Sequence, residues 1–152
     1  HISMFYNISH FTINISDAEG FGLATLESLS CETPIVVCLT GGLQEQVTDG
    51  KNWFGFGLEP SAKAVIGSQD IPYIYEDRLN KDEFIDALVK MHNLPDKEYK
   101  KMGKLGKKHV TTNYNFEKFG SQWVDLMLQV HKENGSWEKR KNYNTWTLKE
   151  VA

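Results

Sequence analysis

Two carboxylates, Glu19 and Glu27, stand eight positions apart and bracket the run Gly20-Phe21-Gly22-Leu23. The first precedes an apolar pattern of helical period and the second falls about two turns into it, so at ~1.5 Å rise per residue they are ~12 Å apart along the axis. A pair spaced in this way reaches opposite ends of an elongated ligand laid across a helix start. Gly20 and Gly22 leave backbone N–H groups uncovered there. Such donors lack intrahelical partners, and the helix dipole favours an anion beside them. A diphosphate suits that position. Spacing alone leaves a second reading open, with Glu19 as a favourable charge near a helix start, Glu27 as a solvated helix residue and the glycines as ordinary loop chemistry.

The elements that must carry these residues are legible around them. FTINIS at 11–16 is a short β-rich run, and Leu23, Leu26 and Leu29 then recur at helical spacing until Pro34 closes the pattern. Ile35-Val36-Val37-Cys38 is continuously apolar, which suits a strand covered on both faces in a parallel sheet. Strand, helix and strand make a right-handed crossover unit, and ligands of open α/β sheets bind at the carboxyl ends of such strands. Thr40-Gly41-Gly42 breaks the second strand, a short helical stretch carries Leu43 and Val47, and Asp49-Gly50 turns the chain into a third strand at 53–58. Residues 59–80, punctuated by Pro60, Gly67 and Pro72, read as an irregular excursion with one short strand at PYIYE.

The second half reads as helical. Asp82 to His92 places Phe84, Ile85, Leu88 and Val89 along one side, and Pro95 ends that segment. Asp96 caps a helix carrying Tyr99, Met102 and Leu105, and Asn115 caps a third in which Phe116, Phe119, Trp123, Leu126, Met127 and Val130 recur until Asn134-Gly135. The expected fold is α/β, a partial Rossmann-like parallel sheet of about three strands with flanking helices. One domain is expected over 1–134. The remainder, 135–152, with Trp137, Tyr143 and Trp146, reads as a strap or tail.

With 152 residues, 40% of them hydrophobic, the chain is long enough to bury a core. A formal net charge of -3 gives no single-signed field that would point to nucleic acid. The two cysteines, Cys31 and Cys38, lack a neighbouring ligand at metal spacing, which fits a reduced compartment and a cytoplasmic location. Lysines 100, 101, 104, 107 and 108 lie within one helix; a solvated face and a face turned peripherally to a membrane are the two readings of that stretch.

The segments EGFGLATLE, CETPIVV, TGGLQEQV and DGKNWFGF closely resemble the signature of the large retaining glycosyltransferase family with two Rossmann-like domains (GT-B), the glycogen-synthase-like or GT4 group. That family's pattern is a glutamate, seven residues and a second glutamate with Gly-Phe-Gly-Leu inside, then Gly-Thr-Pro-Val-Val, then Gly-Gly and an acidic residue. Asn-Tyr-Asn-Phe at 113–116 is similar to its late motif, and the resemblance runs over roughly residues 4–130.

The resemblance implies the C-terminal, donor-binding half of an enzyme that transfers a sugar from a nucleotide-diphosphate sugar to an acceptor with retention of configuration. Glu19 would be the catalytic residue, facing the hydroxyls of the transferred sugar and stabilising an oxocarbenium-like transition state. Gly20, Phe21, Gly22 and Leu23 would line the donor, and Glu27 would accept hydrogen bonds from the ribose as a buried carboxylate. No metal and no other cofactor is expected, because the family neutralises the departing diphosphate with protein groups. The acceptor, a sugar, glycan or lipid-linked molecule, would meet an N-terminal domain that this sequence does not contain.

Three positions depart from the pattern: Glu32 where the family usually has Gly, Gln44 in place of Pro, and Trp53 in place of a common Gly. The Arg and Lys that the family brings to the diphosphate are also not in the sequence, so the chain alone is expected to be inactive. The strand at 11–16 is expected to expose an edge and to self-associate through it. A noncatalytic nucleotide-binding or scaffolding remnant of the same fold is the alternative to an enzyme part.

Overall fold

The computed structural model of the protein describes residues 1–141. Its elements are α1 (Ile2–Ile8), β1 (Thr12–Asn14), α2 (Leu23–Ser30), β2 (Ile35–Cys38), α3 (Leu43–Val47), β3 (Gly55–Leu58), β4 (Ala62–Val65), β5 (Tyr75–Arg78), α4 (Lys81–His92), α5 (Asp96–Asn113) and α6 (Phe116–Asn134). Residues 1–113 form one compact unit and a second begins at Tyr114. Tyr143 and Trp146, expected to belong to a strap, lie outside the described residues.

β2 is the middle strand of a parallel sheet ordered β1-β2-β3. Its four residues are all buried, and successive side chains of a strand point to opposite faces, so both faces of the sheet are covered. Val36 packs with Leu58 of β3 and with Ala87 and Met91 of α4 in one cluster. Helices α2 and α3 pack against the sheet as well, and α5 packs along α2. The α/β architecture, with three parallel strands and flanking helices, is as the sequence implies. Registers of Thr12 with Ile35 and of Ile35 with Gly55 carry the carboxyl ends of all three strands to the same side.

Helix ends follow local chemistry. Asn80 caps α4, its Oδ1 accepting from the backbone N–H groups of Asp82 and Glu83, one to two residues earlier than the periodicity suggests. Asp96 is the first residue of α5 rather than its cap. Asn115 caps α6 by accepting from the Lys118 N–H, and Gly135 ends that helix at φ 77°. After α2 the chain turns through Glu32 at φ 62°. This is the left-handed conformation for which the resembled family's glycine is suited, and here an ion pair from Lys107 Nζ to Glu32 Oε1 at 3.0 Å ties the turn to α5.

Two features differ from the sequence reading. Residues 59–80 are not irregular with one strand at PYIYE; they form an antiparallel hairpin of β4 and β5, paired from Ala62 with Arg78 to Val65 with Tyr75. Neither strand has a buried residue, so no alternation of apolar and polar residues marks them, and Tyr73 at φ 63° delays β5 past Pro72. The second difference is α1. None of its residues is buried and it has no side-chain cap, so neither of the usual helix signals is written in the sequence.

Candidate functional site

The loop between β1 and α2 leaves the sheet at the carboxyl end of β1 and lies against the loop that leaves β2. Gly41 is the reason the two backbones can touch. It sits at φ 49°, and a side chain there would collide with the carbonyl oxygen of Glu19. The next residue, Gly42, donates its N–H to the carbonyl of Gly20 at 3.1 Å. The Thr-Gly-Gly run after β2 is thus a seat for the acidic loop.

Beneath the loop lies Gln46 of α3, a fully buried polar side chain. Its amide nitrogen donates to the carbonyl of Phe21 and its oxygen accepts from the Thr25 hydroxyl. Thr25 Oγ1 also reaches the Gly22 carbonyl at 2.6 Å. Gly22 is the residue from which α2 starts, held at φ 86° with no side-chain cap on the helix. An uncapped first turn keeps its backbone N–H groups for an anion.

Glu19 is half-buried, and its Oε2 accepts from Asn14 Nδ2 at 3.3 Å. Asn14, the last residue of β1, is itself fixed by the Ser16 N–H and hydroxyl at 3.1 and 2.7 Å. Gly20 and Phe21 are exposed, Gly22 is buried at the helix start, and Leu23 projects with 68% of its surface open. Glu27 is exposed on α2 rather than buried, because the face of that helix turned inward is the one carrying Thr25, Leu26, Ser28 and Leu29. It accepts at Oε2 from the Tyr6 hydroxyl at 2.9 Å. The loop and the helix it opens therefore carry both carboxylates, each engaged by a neutral donor.

Sequence reasoning missed Asn14, Thr25, Gln46 and Tyr6. For Thr25 and Gln46 the signal was present: polar residues at positions whose helical neighbours Leu26, Leu29, Leu43 and Val47 are core. Asn14 closes a strand and Tyr6 sits in an unforeseen helix, and neither position is marked by pattern. Among the described residues no group of three or more His, Cys, Asp or Glu is placed to hold a metal ion. Cys38 is buried at the end of β2, and burial, with the nearby Asp77, Asp17 and Glu59 charges, pushes its thiol pKa upward.

Residues 1–109 match the family described as Glycosyl transferases group 1. The chain belongs to that family. A D-inositol 3-phosphate glycosyltransferase of Acidothermus cellulolyticus is 46% identical over 48 residues, 32% of this chain and 11% of that protein. A trehalose phosphorylase of Pleurotus sajor-caju is 22% identical over 134 residues, 85% of this chain and 15% of the relative. Sucrose-phosphate synthase from Thermosynechococcus elongatus shares the fold with a TM-score of 0.61 at 21% identity, covering 84% of this chain and 27% of that one. The chain spans less than a third of the length of each of these proteins. The three parallel strands and their flanking helices are thus part of a glycosyltransferase fold. No helix among the described residues is long and apolar enough to cross a membrane.

Proposed function

We propose that this chain supplies the donor-binding half of a glycosyltransferase that uses a nucleotide-diphosphate sugar and retains anomeric configuration. The diphosphate lies at the uncapped start of α2, with Gly20, Phe21, Gly22 and Leu23 along the donor. Glu19 faces the sugar and stabilises positive charge developing at its anomeric carbon; Glu27 takes the ribose hydroxyls. Carboxylates are acceptor-only groups that suit hydroxyl donors at both ends of such a ligand. The observation that carries this reading is the seating of the Glu19 loop on Gly41 and Gly42. It fixes the backbone donors of one loop beside the uncapped helix start, as electrostatic preorganisation requires.

Titration calorimetry with UDP, GDP and ADP and their glucose conjugates tests it. One nucleotide series binds, Glu27→Ala weakens both the nucleotide and its conjugate, and Glu19→Ala weakens the conjugate more than the bare nucleotide. Indifference of the chain to every nucleotide supports the noncatalytic remnant instead.

A further inference from the structure

Glu27 stands on the exposed face of α2, where a glutamate has three rotatable bonds and no packing to choose among them. One contact removes that freedom. The Tyr6 hydroxyl reaches Oε2 at 2.9 Å from 21 residues away, while Oε1 has no partner among the described residues.

Tyr6 is held independently of this contact. Its ring belongs to α1, which packs on α2, and its backbone carbonyl accepts from the Thr33 hydroxyl at 2.8 Å. Thr33 follows the turn that ends α2, so the hydroxyl and the carboxylate are mounted on two elements tied together at a second point. Burial, and then the hydrogen bond to Glu27, push the phenol pKa above its ordinary value. It remains a neutral donor at neutral pH.

We propose that Tyr6 is a positioning residue for Glu27: its hydroxyl presets the carboxylate so that Oε1 and the remaining lone pair of Oε2 meet the two vicinal hydroxyls of a ribose. The inference rests on the reading of Glu27 as the ribose acceptor and adds the group that orients it. An ordered acceptor loses less freedom on binding than a mobile one. Two acceptor sites fixed at one spacing discriminate a diol from a single hydroxyl. The chain therefore prefers ribonucleotides to 2′-deoxyribonucleotides, and the Tyr6 hydroxyl is part of that preference.

The test is calorimetric titration of the intact chain with UDP, GDP and ADP and with their 2′-deoxy counterparts. Tyr6→Phe, Glu27→Gln and the double variant are compared, with thermal unfolding as the check on folding. Tyr6→Phe keeps the ring and the Thr33 contact, weakens the ribonucleotide that binds by about 5- to 10-fold, as the freedom regained by one unordered side chain does, and lowers the ribo-to-deoxy preference. Adding it to Glu27→Gln has no further effect. A merely structural role would weaken ribo and deoxy ligands alike and leave their ratio unchanged. An unchanged ratio in Tyr6→Phe, with Glu27→Gln lowering it, overturns the positioning role and leaves the ribose contact standing. An unchanged ratio in Glu27→Gln, or no binding of any of the three ribonucleotides, overturns both.

Discussion

The side-chain amide of Gln46 donates to the carbonyl of Phe21 from a fully buried position, and the same side chain accepts the Thr25 hydroxyl. Truncation to an apolar residue leaves both partners without it. Gln46→Leu is expected to lower unfolding stability by about 2 kcal/mol, the net worth of two hydrogen bonds made by a buried side chain. Urea unfolding monitored by tryptophan fluorescence measures it. Amide exchange at residues 20–22 should quicken in the variant, because this bond ties their loop to α3.

Glu32 and Lys107 give a second prediction in which two effects oppose. Relieving φ 62° with Glu32→Gly gains roughly 1 kcal/mol, while loss of the half-exposed ion pair to Lys107 forfeits about 0–1 kcal/mol. The variant is expected to be as stable as the parent or slightly more so. Its advantage should grow at about 1 M salt, where the pair is screened within ~3 Å. A denaturation series at two ionic strengths separates the terms.

Asp49 is held in its ionised form by its neighbours. Hydrogen bonds from the Asn52 side chain, then from the Asn52 and Lys51 backbone, hold its pKa down at about 2. A depressed carboxylate stabilises the fold above its unfolded value near 4, and that contribution is lost as pH falls toward about 2. Asp49→Ala is therefore expected to be less stable than the parent at neutral pH, with the gap closing over that acidic window. Thermal unfolding of the two proteins across pH is the measurement.

β1 is hydrogen-bonded on one side, to β2, among the described residues, and its Ile13 is exposed. We expect concentration-dependent self-association through that edge. Sedimentation velocity should show it, and Ile13→Lys should suppress it. A monomer at all concentrations, with a slowly exchanging amide at Ile13, would refute the idea.

The parts of this chain that could be read from its residues are those where burial imposes a period. Ile35-Val36-Val37-Cys38 is covered on both faces and says so by being apolar throughout, and Leu26 and Leu29 mark the inward side of α2. β4 and β5 were hidden because a hairpin with no buried residue leaves its residue types unconstrained by a core. The placement of the site loop was legible from the glutamates and glycines, but the burial expected of Glu27 was not. The inward side of α2 is taken by Thr25, Leu26, Ser28 and Leu29, so the carboxylate stays outside. The contacts that hold the two glutamates come from residues 5 and 21 positions away, distances that no local pattern encodes.

β2 has a neighbour on either side and no surface of its own. Amide exchange at Val36 and Val37 is expected to need opening of the whole 1–113 unit. Their exchange is thus a clock for global opening, against which a ligand's grip on the loops can be timed without any reporter being placed near them.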